Sequence, residues 1–301
     1  MCAEMLPLEK KALFILNPVA GRKLIQRNVH TVVRCLMDHA YLVTTAVTAS
    51  RGEACELAAR YGASFDLIVC AGGDGTLNEC VNGMAREGIS RPIGYIPCGS
   101  TNDFALTTDL PLDIQKAAAA VGSGRIREYD IGCFDERFFL HHALFGAFTR
   151  MAYTTQQVQK NLLGYGAYVL DGLRELPNLK PISLSVTVNG ERREGEYLFG
   201  SFSTKRQIAG IYELPEDLIG PRDGKLAALF IKAPKSVADW ELIARSLLSG
   251  DPNCPMVEIL VGSDFLVQPQ KEIEWSLDGE SSGLRGTTWI SVRQASLKLQ
   301  G

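Results

Sequence analysis

Phe65-Asp66-Leu67-Ile68-Val69-Cys70-Ala71-Gly72-Gly73-Asp74-Gly75-Thr76-Leu77-Asn78-Glu79 is the stretch on which the reading of this sequence turns. Phe65 to Ala71 is an apolar, β-prone run of the kind that is buried on both faces of a sheet. Gly72-Gly73 stops it. Leu77 to Ala85 then reads as a helix. Such a turn lets backbone amides approach an anion closely and aims the positive end of the following helix at it. Asp74 is odd beside phosphate alone, and makes sense with Mg2+ or a ribose hydroxyl nearby. Thr76 offers a hydroxyl to the same place. A plain strand-to-helix turn accounts for two glycines, but poorly for the whole string from Gly72 to Glu79.

Outward from this stretch, the first third alternates strand and helix signals. Ala12 to Leu16 is an apolar run ending at Asn17-Pro18. Leu24 to Met37 has helical spacing, and Tyr41 to Val47 reads as a strand. Ser50 is placed to cap the next helix, with Glu53 completing a capping box. Pro92 to Ile96 is another strand, stopped by Pro97. Repeated strand and helix imply a parallel sheet covered by helices. Two further loops follow strands: Asn17-Pro18-Val19-Ala20-Gly21-Arg22 and Pro97-Cys98-Gly99-Ser100-Thr101-Asn102-Asp103-Phe104. In an open α/β sheet ligands bind at the carboxyl ends of strands, so all three loops are expected at one edge. Arg22 and Arg27 fall near any phosphate held there. A solvated helix face is the plainer reading of Arg27, and a helix cap that of the third loop.

After Ala117–Ala120 the pattern becomes β-rich. Arg127 to Phe134 and Phe138 to Phe145 read as strands joined at Asp135-Glu136. Ile182 to Val188, Asn189-Gly190 and Tyr197 to Ser203 make a hairpin with a two-residue turn. Lys225–Lys232, Met256–Val261, Glu272–Leu277 and Thr287–Val292 add strands, and Ala238 to Leu248 is a lone helix. Thr155 to Leu176 has a long or broken helical pattern. Its apolar members Leu162, Leu163, Tyr165, Tyr168, Val169 and Leu173 suit core packing first, and an acyl slot or membrane contact second. The boundary falls near residue 125.

A chain of 301 residues suits two domains. Lys plus Arg number 31 against 34 for Asp plus Glu, so no basic excess argues for nucleic acid. Eight cysteines show no C-x-x-C pair, which disfavours zinc. No signal-like segment and no window of about 20 apolar residues is found, so a cytoplasmic protein is expected.

The three loop strings resemble the diacylglycerol kinase catalytic-domain family, which includes soluble bacterial lipid kinases and is related to sphingosine and ceramide kinases. The resemblance implies an N-terminal α/β nucleotide-binding domain like that of NAD kinases and phosphofructokinases, residues 1–125, with residues 290–301 returning to it. It implies a C-terminal antiparallel β-sandwich-like domain, residues 126–289, with the active site in the cleft between the two. Transfer of the ATP γ-phosphate to a hydroxyl of diacylglycerol or a related lipid is expected, with Mg2+. Asn17, Pro18, Gly21, Gly72, Gly73, Asp74, Gly75, Thr76, Asn78, Glu79, Gly99, Ser100, Thr101 and Asn102 would bind nucleotide. Asp103 and Asp130 match acidic positions tied to catalysis, and Arg22 and Arg27 their basic partners. Leu277-Asp278-Gly279-Glu280 matches the family's D-G-E string, and Glu280 would be the general base. Without the resemblance, Asp278-Gly279 reads as a turn between Ile273–Leu277 and Thr287–Val292. Asp74, Asp103 and Asp223 would face metal. The partners implied are a diacylglycerol-like lipid and a peripheral membrane surface at the inner face of the membrane. A homodimer stays open.

The second half departs from the family pattern. After Asp223-Gly224-Lys225-Leu226 the family often has a second acid, where this chain has Ala227. A glycine-rich turn is reduced to Ala209-Gly210, and Ser201 or Ser203 replaces an asparagine. His141-His142 stand near another family asparagine; as strand neighbours they face opposite ways, one expected buried and one exposed. Two other functions stay in view: an NAD-kinase-like small-molecule kinase, which leaves the Asn17-Pro18 loop and Asp278-Gly279-Glu280 unexplained, and a non-catalytic lipid or nucleotide sensor.

Overall fold

Four strands make the first sheet: β1 (Lys10–Leu16), buried from Ala12 on, β2 (Tyr41–Val47), buried only at Tyr41, and the fully buried β3 (Leu67–Gly72) and β4 (Ile93–Pro97). The structure is a computed structural model and describes residues 9–146, 180–208, 212–215 and 217–301, except the side chain of Arg22. The chain forms two units, residues 1–129 with 295–301, and residues 130–294.

In the first unit the strands are parallel in the order β4-β3-β1-β2. The end of the chain joins them, Leu299 and Gln300 pairing parallel to Ile93 and Gly94. The helices are α1 (Val29–Asp38), α2 (Glu53–Tyr61), α3 (Asp74–Arg86), α4 (Asp103–Thr107) and α5 (Ile114–Gly122). Every residue of β3 is buried, as a strand covered on both faces requires. Phe14, Val69 and Ile96 from the sheet pack with Val32 and Leu36 of α1 and Ala117 and Val121 of α5.

Two local expectations do not hold. The helix read from Leu24 begins at Val29, because Lys23 sits at φ 64° and residues 25–27 form a separate 3₁₀ turn. Ser50 does not cap α2; Gly52 occupies the cap at φ 85°. Glu53 still reaches back, accepting from the Ala49 and Ser50 amides at 2.6 and 3.2 Å.

The second unit is antiparallel. Its strands include the end of β5 (Ile126–Phe134), then β6 (Arg137–Phe139), β7 (His142–Gly146), β8 (Ile182–Val188) and the long β9 (Glu191–Ser203). Short β10 (Gln207–Ile208) and β11 (Tyr212–Glu213) pair with each other. They are followed by β12 (Leu226–Lys232), α6 (Val237–Ser249), β13 (Val257–Gly262), β14 (Asp264–Pro269), β15 (Ile273–Leu277), β16 (Glu280–Arg285) and the first part of β17 (Thr288–Gln300). The first half of β9 pairs with β8, and its second half lies between β7 and β12.

Alternate residues of β12 enter two separate cores. Ala228 and Phe230 join Phe145, Phe202 and Trp275, while Ala227, Leu229 and Ile231 join Ile243 and Leu247 of α6. This period of two gives the sheet two apolar faces.

Asn189 and Gly190 take φ of 52° and 79°, the positive values of a two-residue hairpin turn. The strand read over Phe138–Phe145 breaks at Leu140-His141 into β6 and β7. The partner of β15 beyond Asp278-Gly279 is β16, not the strand read at Thr287–Val292, which pairs instead with β14. The apolar series from Leu162 to Leu173, the helical pattern Thr155–Leu176 and the Ala209-Gly210 turn lie outside the described residues.

Candidate active site

The three loops singled out in the sequence meet at the carboxyl ends of β1, β3 and β4. Their contact is largely backbone to backbone. The Cys98 amide donates to the Gly72 carbonyl at 2.7 Å, and the Asn17 amide to the Ala71 carbonyl at 2.9 Å. A Cβ on Gly99 would lie 2.6 Å from the Gly73 Cα, so only glycine permits this approach. Gly21 has φ 50°, and a Cβ there would run into the Cys98 carbonyl. Gly21, Gly73 and Gly99 therefore let the three loops pack main chain against main chain.

Side chains fasten the loops together. Asn17 Nδ2 donates to Thr76 Oγ1 at 3.3 Å, and its Oδ1 accepts from the Val19 amide at 3.1 Å. Asn102, in the left-handed region at φ 56°, accepts from the Gly99 amide at 2.7 Å and donates to the Gly99 carbonyl at 3.2 Å. Asp74 opens α3, and its carboxylate reaches across to α4. Oδ2 accepts from the Asp103 amide at 2.9 Å and Oδ1 from the Phe104 amide at 3.1 Å. Asp74 thus caps α4 from a distance of about thirty residues in sequence, through the favourable pairing of a carboxylate with a helix N-terminus.

The remaining expected nucleotide contacts divide. Pro18, Ser100 and Thr101 lie in the loops, Ser100 exposed, and Gly75 lies in the first turn of α3. Asn78 and Glu79 lie further along α3. Glu79 Oε1 accepts from the Gly52 amide at 2.9 Å, and Asn78 Oδ1 accepts from Asn82 at 2.9 Å. The first contact ties α3 to the cap of α2, and the second lies within α3. Arg27 is exposed on its 3₁₀ turn, and the side chain of Arg22 is outside the described atoms.

In the second unit, Asp130 is buried and its Oδ2 accepts from the Gly224 amide at 2.8 Å. Asp223 shapes the same loop, accepting from the Gly220 and Lys225 amides at 2.9 and 3.1 Å. Ala227 is fully buried among apolar residues. A cation site built on Asp223 and a partner at that position does not fit this chain. Among the described residues no three His, Cys, Asp or Glu side chains are grouped to hold a metal.

Asp278 and Gly279 form the turn into β16, at φ of 48° and 83°. Glu280 is the first residue of β16, half-buried and opposite Leu277. The Asp278 carboxylate accepts three consecutive main-chain amides: Leu140 at 2.6 Å, His141 at 2.8 Å and His142 at 3.0 Å. This is what breaks β6 from β7. His141 is buried, and burial, helped by the Lys205 charge, pushes its imidazole pKa well below the usual value. His142 is half-buried rather than exposed.

One residue of the loop cluster is not visible in the sequence. Tyr95, fully buried in β4, brings its hydroxyl against groups of both the β3–α3 and β4–α4 loops. No local pattern marks it, because its partners are 7, 21 and 23 residues away.

The chain is similar to known proteins along most of its length. Residues 11–134 match the model of the diacylglycerol kinase catalytic domain. The chain is 31% identical over 286 residues to a diacylglycerol kinase of Bacillus subtilis (strain 168), covering 94% of each. It is 32% identical over 289 residues to a diacylglycerol kinase of Staphylococcus aureus (strain JH9), covering 95% of this chain and 91% of that one. A crystal structure of a diacylglycerol kinase from Bacillus anthracis str. Sterne superposes with a TM-score of 0.75 at 20% identity, covering 97% of this chain and 96% of that one.

Proposed function

The chain belongs to the diacylglycerol kinase catalytic-domain family, a class of ATP-dependent lipid kinases, and from that premise we propose that it phosphorylates a hydroxyl of diacylglycerol. The observation that carries the reading is the convergence of three glycine-containing loops, packed main chain on main chain, at the strand ends. Phosphoryl transfer asks for little covalent help from protein. It needs the phosphates placed and their charge stabilised. Gly72, Gly73, Gly75 and Gly99 supply close main-chain approach, and Thr76, Ser100 and Thr101 supply hydroxyls. Magnesium would enter with the triphosphate, held mostly by phosphate oxygens and water, with Asp74 and Asp103 as the nearby carboxylates. It would neutralise charge on the transferring phosphate.

In the second unit Glu280 is the general base. The lipid hydroxyl oxygen bonds to the γ-phosphorus as its proton passes to the Glu280 carboxylate, and ADP leaves. Asp130 has a buried carboxylate turned to the Gly224 amide, so its direct effect is on the shape of the 220–225 loop. Diacylglycerol resides in a membrane, so the chain works at a bilayer surface from the cytoplasmic side. Among the described residues no helix is long and apolar enough to cross one.

The test is Glu280→Gln. Mg-ATP affinity should stay within about twofold while turnover on dispersed diacylglycerol falls on the order of a hundredfold or more. Turnover equal to the parent's removes Glu280 from the base role.

A further inference from the structure

Tyr95 lies in β4 with no exposed surface. Its ring packs edge-on to Phe104 at 6.2 Å. Its hydroxyl oxygen stands 3.3 Å from the Gly72 carbonyl, 3.4 Å from Asp74 Oδ1 and 3.4 Å from Asn102 Oδ1. All three neighbours are acceptors, and a phenol has one proton to give. Each neighbour also has a second donor: Cys98 for Gly72, Phe104 for Asp74 and Gly99 for Asn102. The hydroxyl is therefore a shared fourth fastening rather than the sole partner of any group. Burial and the Asp74 charge both keep it protonated, so it remains a donor.

We infer that Tyr95 is a positioning residue for nucleotide binding. Its hydroxyl helps hold Asp74 and Asn102, and with them the β3–α3 and β4–α4 loops, in register. The inference rests on the reading of these loops as the nucleotide site and adds to it a residue from the strand beneath. The role is local: Asp74 supplies the one charged acceptor of the three, at 3.4 Å, beside the neutral oxygens of Gly72 at 3.3 Å and Asn102 at 3.4 Å.

Tyr95→Phe removes only the hydroxyl and leaves the buried ring. Every neighbour keeps its other donor, so the thermal midpoint should move by no more than a few degrees. The expected result is a rise of about five- to tenfold in the Kd and KM for Mg-ATP, the size of one lost hydrogen bond, with kcat within about twofold. A merely structural role would lower stability and kcat together. The second arm is Asp74→Asn, alone and with Tyr95→Phe. If the hydroxyl acts through the carboxylate, the Tyr95 change costs less than about twofold once Asp74→Asn is in place. Unaltered Mg-ATP affinity in Tyr95→Phe overturns the inference, as do fully additive effects. A parent chain that binds no Mg-ATP overturns the reading of the loops and this inference with it, so the two failures are told apart by the parent's own titration.

Discussion

Replacing Asp278 by Asn isolates the charge that ties together the two ends of the second unit's chain. Asn tolerates the left-handed backbone that Asp278 adopts at φ 48°, so the turn itself is not strained. An Oδ1 in place keeps the His141 and His142 amides, now as neutral bonds of roughly half the strength. The new amide group opposes the Leu140 N–H, whose bond at 2.6 Å is lost and replaced by two donors face to face. A hydrogen bond to a charged acceptor contributes about 1.5–3 kcal/mol, and leaving a donor unmet costs about 1–3. Asp278 is half-buried, so water recovers part of this. The expected net loss is roughly 2–4 kcal/mol, or a fall of about 1–2 M in the urea midpoint. All three tryptophans, Trp240, Trp275 and Trp289, lie in the second unit, so their fluorescence follows its unfolding without interference from the first. Turnover should fall as well, since Glu280 follows this turn directly. A midpoint unchanged within about 0.2 M would refute the reasoning, because the carboxylate charge and the Leu140 bond would then add nothing to stability.

His141 carries a pH dependence of definite sign. Its folded pKa lies below the unfolded value, so the unfolded chain takes the proton first as pH falls. Stability is full above about pH 6.5 and declines below it, by up to about 1.4 kcal/mol per pH unit, and His141→Gln should flatten that decline in tryptophan-monitored urea titrations. Gly21→Ala forces a Cβ against the Cys98 carbonyl at a positive φ. It should weaken Mg-ATP binding about tenfold or more by calorimetry while tryptophan fluorescence of the second unit is unmoved; unimpaired binding would show that the Gly21 loop stands away from the nucleotide.

What can be read in the sequence follows from how local each signal is. β1, β3 and β4 are legible because burial on both faces leaves an unbroken apolar run, and the Asn189-Gly190 turn announces its hairpin. β16, Glu280-Ser281-Ser282-Gly283-Leu284-Arg285, has no such alternation. It is a strand because β15 pairs with it, across an irregularity between Trp275 and Ser276. β14 is short, a Phe265-Leu266-Val267 run closed by Gln268-Pro269. The loop strings are visible as strings, since glycine and small polar residues cluster there. What joins them is not. Asp74 meets the Asp103 amide 29 residues on, Glu79 meets Gly52, and Asp278 meets Leu140 across 138 residues. Such contacts depend on topology, which no local window contains. The false cap at Ser50 has the same origin. A capping box needs only the right residues three apart, but Gly52 at positive φ starts the helix two residues later.

The central claim is transfer of the γ-phosphate of ATP to a lipid hydroxyl. The most direct measurement uses γ-labelled Mg-ATP with diacylglycerol in mixed micelles, and NAD as a parallel acceptor. Labelled phosphatidic acid, lost with Glu280→Gln, is the expected result. Label on NAD, or no label on lipid from a chain that binds Mg-ATP, would contradict it.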